Sequence, residues 1–282
     1  MGIYVRCAKS LQKKTFNTGG QHTVSKTFDA LIKAEAESKS QKRQKRRGVG
    51  FSALSVFKDK GRPIKIDFDL DPFVEEQYHR LRRHLLPNSK HGATKIVMVA
   101  ATDHGEGGTT TAAILASTLA RSDNTKILLV DANLRTPALN EVFEQGQGHK
   151  LLGLSDQVLS EAPLDQTIYQ TDITNLFFMP CGREITSPSY MFDSEPIVTM
   201  LSALREKFDF VIFDGSPLRD YSESSFLAGK MDGVILVVEA ERTKAEIVRK
   251  IRKDLESTGV NILGVVLNKK RNYIPEYLER FL

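Results

Sequence analysis

The chain has 282 residues, of which 40% are hydrophobic and 27% charged, enough for one large core with an extension. Two cysteines, Cys7 and Cys181, exclude a disulfide framework, and no apolar run approaches the ~20 residues of a spanning helix, so a soluble, cytoplasmic protein is expected. The net charge of +5 is unevenly placed: residues 1–65 hold 16 Lys/Arg against 4 Asp/Glu, leaving 24 against 31 for the remainder. An acidic body argues against a basic nucleic-acid groove, so no specific nucleic-acid partner is expected.

Residues 1–65 read as a basic arm, and residues 66–282 as the folded domain with a C-terminal tail. Residues 1–24 show no clear period and are expected to be disordered. Phe28, Leu31, Ile32 and Ala36 follow Ser25 at the spacing of one helical face. The run Gln41–Arg47 carries five Lys/Arg, which suits a solvated linker, acidic lipid headgroups, nucleic acid or an acidic partner. A helix is predicted from Asp71 as cap and Pro72 as first residue, with Glu75 and Glu76 at the positive end of its dipole. Val74, Tyr78, Leu81 and Leu85 line its apolar face.

From Lys95 onward apolar strands alternate with helices. Strands are predicted at 96–100, 127–130, 176–179, 210–213, 234–238 and 263–267, and a helix at 109–121. Nearly continuous apolar strands separated by helices imply a parallel sheet covered on both faces, with ligands beyond the carboxyl ends of the strands.

Four motifs fall at those ends. Gly105-Glu106-Gly107-Gly108-Thr109-Thr110-Thr111 follows the first strand and opens a helix, as a phosphate-binding loop does, with main-chain amides converging on phosphate oxygens. Its lysine position is occupied by Gly108, and Thr109 stands where a hydroxyl ligates Mg²⁺. Asp131 ends the next strand, where it can polarise a Mg²⁺-bound water or accept a proton from an attacking hydroxyl, and Asn133 lies two residues on. Asp214 ends Phe210-Val211-Ile212-Phe213, as a carboxylate of the Mg²⁺ shell would. Asn268 ends the last strand, where an amide can pair with both edges of adenine. No nearby lysine in sequence obviously substitutes for the missing one, and His104 offers partial charge at most.

In order and spacing these motifs resemble the cytoplasmic domain of the bacterial tyrosine kinases, the autokinases of capsule and exopolysaccharide loci. Further matches are Gly153-Leu154-Ser155-Asp156, Ser187-Pro188-Ser189, Gly264-Val265-Val266-Leu267-Asn268 and a tail with Tyr273 and Tyr277. The resemblance covers about residues 25–282. It implies an α/β P-loop NTPase-like fold of mostly parallel sheet with helices on both faces, plus the basic, partly disordered arm.

By the resemblance, Asp131, Asn133 and Asp214 are catalytic positions, and Gly105, Glu106, Gly107, Gly108, Thr109, Thr110 and Asn268 bind nucleotide. Thr109, Asp131 and Asp214 hold the metal, and Tyr273 and Tyr277 are candidate phosphoacceptors. The cofactors are ATP and Mg²⁺. The implied partners are a membrane polysaccharide co-polymerase or adaptor on a separate chain, at the inner face of the membrane, and further copies of this chain through the helix with Glu76, His79 and Arg82. Five departures stand against this: Gly108 for lysine, Asn133 for aspartate, Ser216 for proline, His79 for the first arginine of the ring-forming helix, and a tyrosine-rich tail reduced to Tyr273 and Tyr277. They point to a nucleotide-binding pseudokinase. The alternatives are an active tyrosine autokinase and a partition- or division-type ATPase, although the latter carry an early loop lysine where this chain has Asp103-His104.

Overall fold

The computed structural model describes residues 2–7, 72–85, 95–121, 125–139, 151–183, 185 and 188–270. The helix expected at 25–36, the basic run at 41–47 and the tail with Tyr273 and Tyr277 lie outside the described residues.

The described elements are, in chain order, β1 (Gly2–Cys7), α1 (Pro72–Leu85), β2 (Lys95–Ala101), α2 (Gly108–Ala120), β3 (Ile127–Asp131), α3 (Leu154–Ser160), β4 (Tyr169–Gln170), β5 (Leu176–Met179), α4 (Pro188–Phe192), α5 (Glu195–Lys207), β6 (Phe210–Gly215), α6 (Ser222–Ala228), β7 (Gly233–Glu239), α7 (Ala245–Ser257) and β8 (Ile262–Lys270). The strands form one sheet in the order β1-β8-β7-β2-β6-β3-β5-β4. The inner pairings are parallel, while β1 on β8 and β4 on β5 run antiparallel.

Alternation along each strand divides the core between the two faces. Ile96, Met98, Val211 and Phe213 face a layer containing Ile197 and Leu204 of α5 and Ile251 and Leu255 of α7. Val97, Val99, Phe210 and Ile212 face Leu115 and Leu119 of α2 and Tyr78 and Leu81 of α1. Burial on both sides explains why these strands read as unbroken apolar runs. Helix α2 is buried on nearly every side, from Thr111 through Ala120. Its polar residues fit there because the Ser117 and Thr118 hydroxyls donate to the carbonyls of Ala113 and Ile114 one turn back.

One expectation fails at the N-terminus. Gly2–Cys7, within the stretch expected to be disordered, form a strand paired along β8, from Gly2↔Lys270 to Cys7↔Gly264. This pairing covers the outer edge of β8, which would otherwise expose a row of unpaired backbone groups.

Candidate functional site

The turn after β2 is shaped from inside and from behind. Gly105 and Gly107 have φ of 74° and 90°, in the left-handed region. A Cβ on Gly107 would lie 2.2 Å from Asn268 Nδ2, so glycine is required there on both counts. The Glu106 carboxylate turns inward. It accepts hydrogen bonds from Thr102 N (2.9 Å), Thr102 Oγ1 (2.6 Å), Asp103 N (3.0 Å) and the Thr243 hydroxyl. Behind the turn, Asn268 Nδ2 donates to Glu106 O at 2.8 Å, and Lys269 Nζ donates to Gly105 O at 2.6 Å.

With the carbonyls of residues 105 and 106 held from β8, the amides of Gly105 through Thr110 find no acceptor among the described residues. Helix α2 starts there with no side-chain cap, so its positive dipole end adds to those donors. The arrangement is a ready anion site. Two of the residues expected to bind nucleotide are engaged in shaping the loop. Glu106, 1% exposed, braces the loop from within. Asn268 has its amide donor on the loop and its Oδ1 on Lys269 N (2.8 Å), so neither is open to an adenine edge here.

Next to the loop, β3 and β6 bring Asp131 and Asp214 side by side in register. Both are fully buried, and neither Asp214 carboxylate oxygen has a hydrogen-bond partner. Burial, then the neighbouring Asp131 charge, pushes the Asp214 carboxyl well above its ordinary range; the Thr109 hydroxyl opposes this without reaching hydrogen-bond geometry. An unpartnered buried carboxylate beside a second one is costly unless a cation joins it. Asp131, Asp214 and the Thr109 hydroxyl therefore fit a hard divalent ion. Among the described residues no group of three or more His, Cys, Asp or Glu could hold a metal alone. Ligand oxygens would have to complete the shell, as Mg²⁺ commonly requires.

Asn133 is engaged elsewhere. Its Nδ2 donates to Thr136 O (2.9 Å) and Thr136 Oγ1 (3.1 Å), and its Oδ1 accepts from Ser216 Oγ at 2.9 Å. Two of the departures from the family pattern, Asn133 and Ser216, are thus bonded to each other and tie the turn after β3 to the turn after β6. Asn133 acts as a strut between the two turns.

At Gly108 the φ is not left-handed, but a Cβ would sit 3.2 Å from both Cβ and N of Ala101. No side chain projects from the helix start there, and Thr110 is exposed. Basic groups ring the mouth instead. Arg135 pairs with the buried Glu223 and lies 5.0 Å over the Tyr221 ring, and His104 meets the edge of that ring at 5.6 Å. Arg219 pairs with Asp103 at 2.6 Å. Lys269 and Arg242 share Glu239, at 2.9 and 3.0 Å. Lys269 is the lysine beside the loop that sequence reasoning missed. Its one local signal was its place directly after Asn268 at the end of β8. On α1, Glu76 is taken up by Arg80 and Arg83, both at 3.2 Å, and His79 lies 3.7 Å from Glu75.

A family model described as an AAA domain matches residues 94–260. The tyrosine-protein kinase CpsD of Streptococcus pneumoniae is 31% identical over 205 residues, 72% of this chain and 88% of that one. The chain belongs to the bacterial tyrosine kinase family. The CpsD of Streptococcus agalactiae serotype III is 29% identical over 204 residues, 72% of this chain and 86% of that one. Among solved structures, the chimerical protein CapA2B2 matches with a TM-score of 0.65 and 26% identity, covering 72% of this chain and 87% of that one. Within this chain, the glycine turn after β2 lies beside the Asp131–Asp214 pair, and position 108 is glycine.

Proposed function

We propose that this protein binds ATP with Mg²⁺ in exopolysaccharide biosynthesis or export and transfers phosphate to tyrosine poorly. The observation that carries this is the combination at the loop: amides without acceptors among the described residues, beside a buried acid pair in which the Asp214 oxygens have no hydrogen-bond partner, and no side chain at Gly108. The amides from Gly105 to Thr110 hold the phosphates. Thr109, Asp131 and Asp214 hold Mg²⁺, which supplies charge neutralisation on the phosphate oxygens. Asp131 would take the proton of an attacking tyrosine hydroxyl. Binding survives because it rests on main-chain donors and the helix dipole. Transfer suffers because its transition state depends on preorganised charge, and loss of one such group costs ~3–4 kcal/mol, or roughly a hundred- to a thousandfold in rate.

A membrane polysaccharide co-polymerase or adaptor is the proposed partner. Copies of this chain would meet through the α1 face bearing Glu76, His79 and Arg82, and Tyr273 and Tyr277 would accept phosphate in trans. Calorimetric titration with ATP-Mg²⁺, followed by phosphotyrosine detection, tests the reading on the native protein and on Gly108→Lys. The variant must displace Ala101 by a few tenths of an ångström. Measurable ATP affinity in both, with transfer at least ~100-fold faster in the variant, is expected. Native transfer as fast as that of the variant identifies an active autokinase. No ATP affinity in the native protein removes the nucleotide reading.

A further inference from the structure

We propose that Lys269 and Arg242, bridged through Glu239, supply from the Gly105 side the positive charge that the loop lacks at Gly108. The proposal rests on the nucleotide-binding reading above and names the groups that make it work.

Lys269 is held in an unusual backbone state. Its φ is +56°, a left-handed conformation that a lysine adopts only when its surroundings impose it. Asn268 Oδ1 accepts from its amide at 2.8 Å, and the turn sends its side chain back toward the loop. Nζ reaches Gly105 O at 2.6 Å and Glu239 Oε2 at 2.9 Å. The Gly105 carbonyl belongs to the peptide unit whose other end is the Glu106 amide, one of the donors aimed at the anion site. An ammonium on that carbonyl polarises the unit and makes the amide a stronger donor. Asn268 does the same, more weakly, for the next unit through Glu106 O.

Arg242 adds charge above the turn. Its NH1 lies 3.0 Å from Glu239 and 3.6 Å from where a Cβ on Gly105 would stand, and its side chain is 56% exposed. Two cations on one carboxylate leave one net positive charge beside Gly105, equal to the charge missing at position 108. Asp103 is paired with Arg219, while Glu106 turns inward to four neutral donors that orient its charge without cancelling it, and both carboxylates also attract Arg242. Burial alone would push the Glu239 carboxyl up, but Lys269 and Arg242 outweigh it and hold it below its ordinary range, so the bridge stays ionised.

The test is titration of ATP and ADP with Mg²⁺, at two salt concentrations, into the full-length native protein and the variants Lys269→Met, Lys269→Arg, Arg242→Met and Glu239→Gln. Lys269→Met and Arg242→Met should each weaken ATP binding about tenfold and flatten its salt dependence. Lys269→Arg should keep most of the affinity. Glu239→Gln, which removes the counter-charge and leaves both cations, should bind ATP at least as tightly as the native protein. This opposite sign separates a charge effect from a structural one. If Lys269→Met fails to fold, the exposed Arg242→Met and the Glu239→Gln variant still decide the matter. Native-like ATP affinity in Lys269→Met or Arg242→Met overturns the proposal while leaving nucleotide binding intact, and so does a loss in Glu239→Gln equal to that in the Met variants. No ATP binding by the native protein overturns nucleotide binding itself, and the proposal with it.

Discussion

Asp214 is a single side chain whose environment disfavours its charge unless a cation joins it. Its two oxygens are buried without partners, and Asp131 stands in register beside it. A folded-state carboxyl raised above its unfolded value favours the protonated form. Its stabilising contribution is complete below the unfolded value near 3.8 and is lost as pH rises through the higher folded value. The nucleotide-free protein should therefore melt at progressively lower temperature as pH climbs through that window. Asp214→Asn should flatten the slope and raise apo stability by about 1–2 kcal/mol, because an amide in that position carries no charge to desolvate. The same substitution should abolish stabilisation by Mg²⁺ with nucleotide. Thermal melts across pH, with and without Mg²⁺ and ATP, check both halves. An Asp214→Asn variant less stable than the native apo protein at neutral pH would mean that the carboxylate has a partner already.

At the scale of elements, the strand edge at β8 carries the clearest consequence. With Gly2–Cys7 in place, β8 is paired on both sides, to β7 and to β1. Removing residues 2–7 should leave the backbone donors and acceptors of 264–270 unpaired over most of an open strand, a template for edge-to-edge association. Light scattering should then report concentration-dependent association beyond that of the full chain; a size distribution unchanged by truncation would mean that β1 adds nothing to the edge.

That strand also marks where sequence reading stops. The inner strands and α2 were legible because burial on two faces leaves an unbroken apolar signature, visible in Ile127-Leu128-Leu129-Val130. β1 was not legible, because its reason for existing is a partner some 260 residues away in the chain. The same limit applies in the site. Asp131 and Asp214 could be read from their places at strand ends. The inward turn of Glu106, the Asn133–Ser216 strut and the return of Lys269 onto the loop depend on contacts between distant turns, and no local period records them.

For the molecule as a whole, the groups assigned to the ligand sit at the carboxyl ends of five strands or on the turns that follow them. Thr102 to Thr110 follow β2, and Asp131 to Thr136 extend from the end of β3. Ser216 follows Asp214 on β6, Arg242 follows β7, and Asn268 and Lys269 end β8. A ligand that binds this end joins turns already linked by hydrogen bonds and ion pairs, such as Ser216 to Asn133, Asn268 to Glu106 and Arg219 to Asp103. Binding to the folded state alone stabilises it by about 2.7 kcal/mol at a ligand concentration 100 times Kd. Because the joined turns are spread across the sheet, that gain should appear as slowed amide exchange in all of them together, strongest from Gly105 to Thr110. The opposite end of the sheet, near Lys126, Asp209 and Asp232, should change only as far as global unfolding is suppressed. Hydrogen-exchange mass spectrometry with and without ATP-Mg²⁺ measures this directly. Protection confined to the loop after β2 would show that the phosphates are gripped without the acid pair, and protection at the opposite end would place the ligand elsewhere.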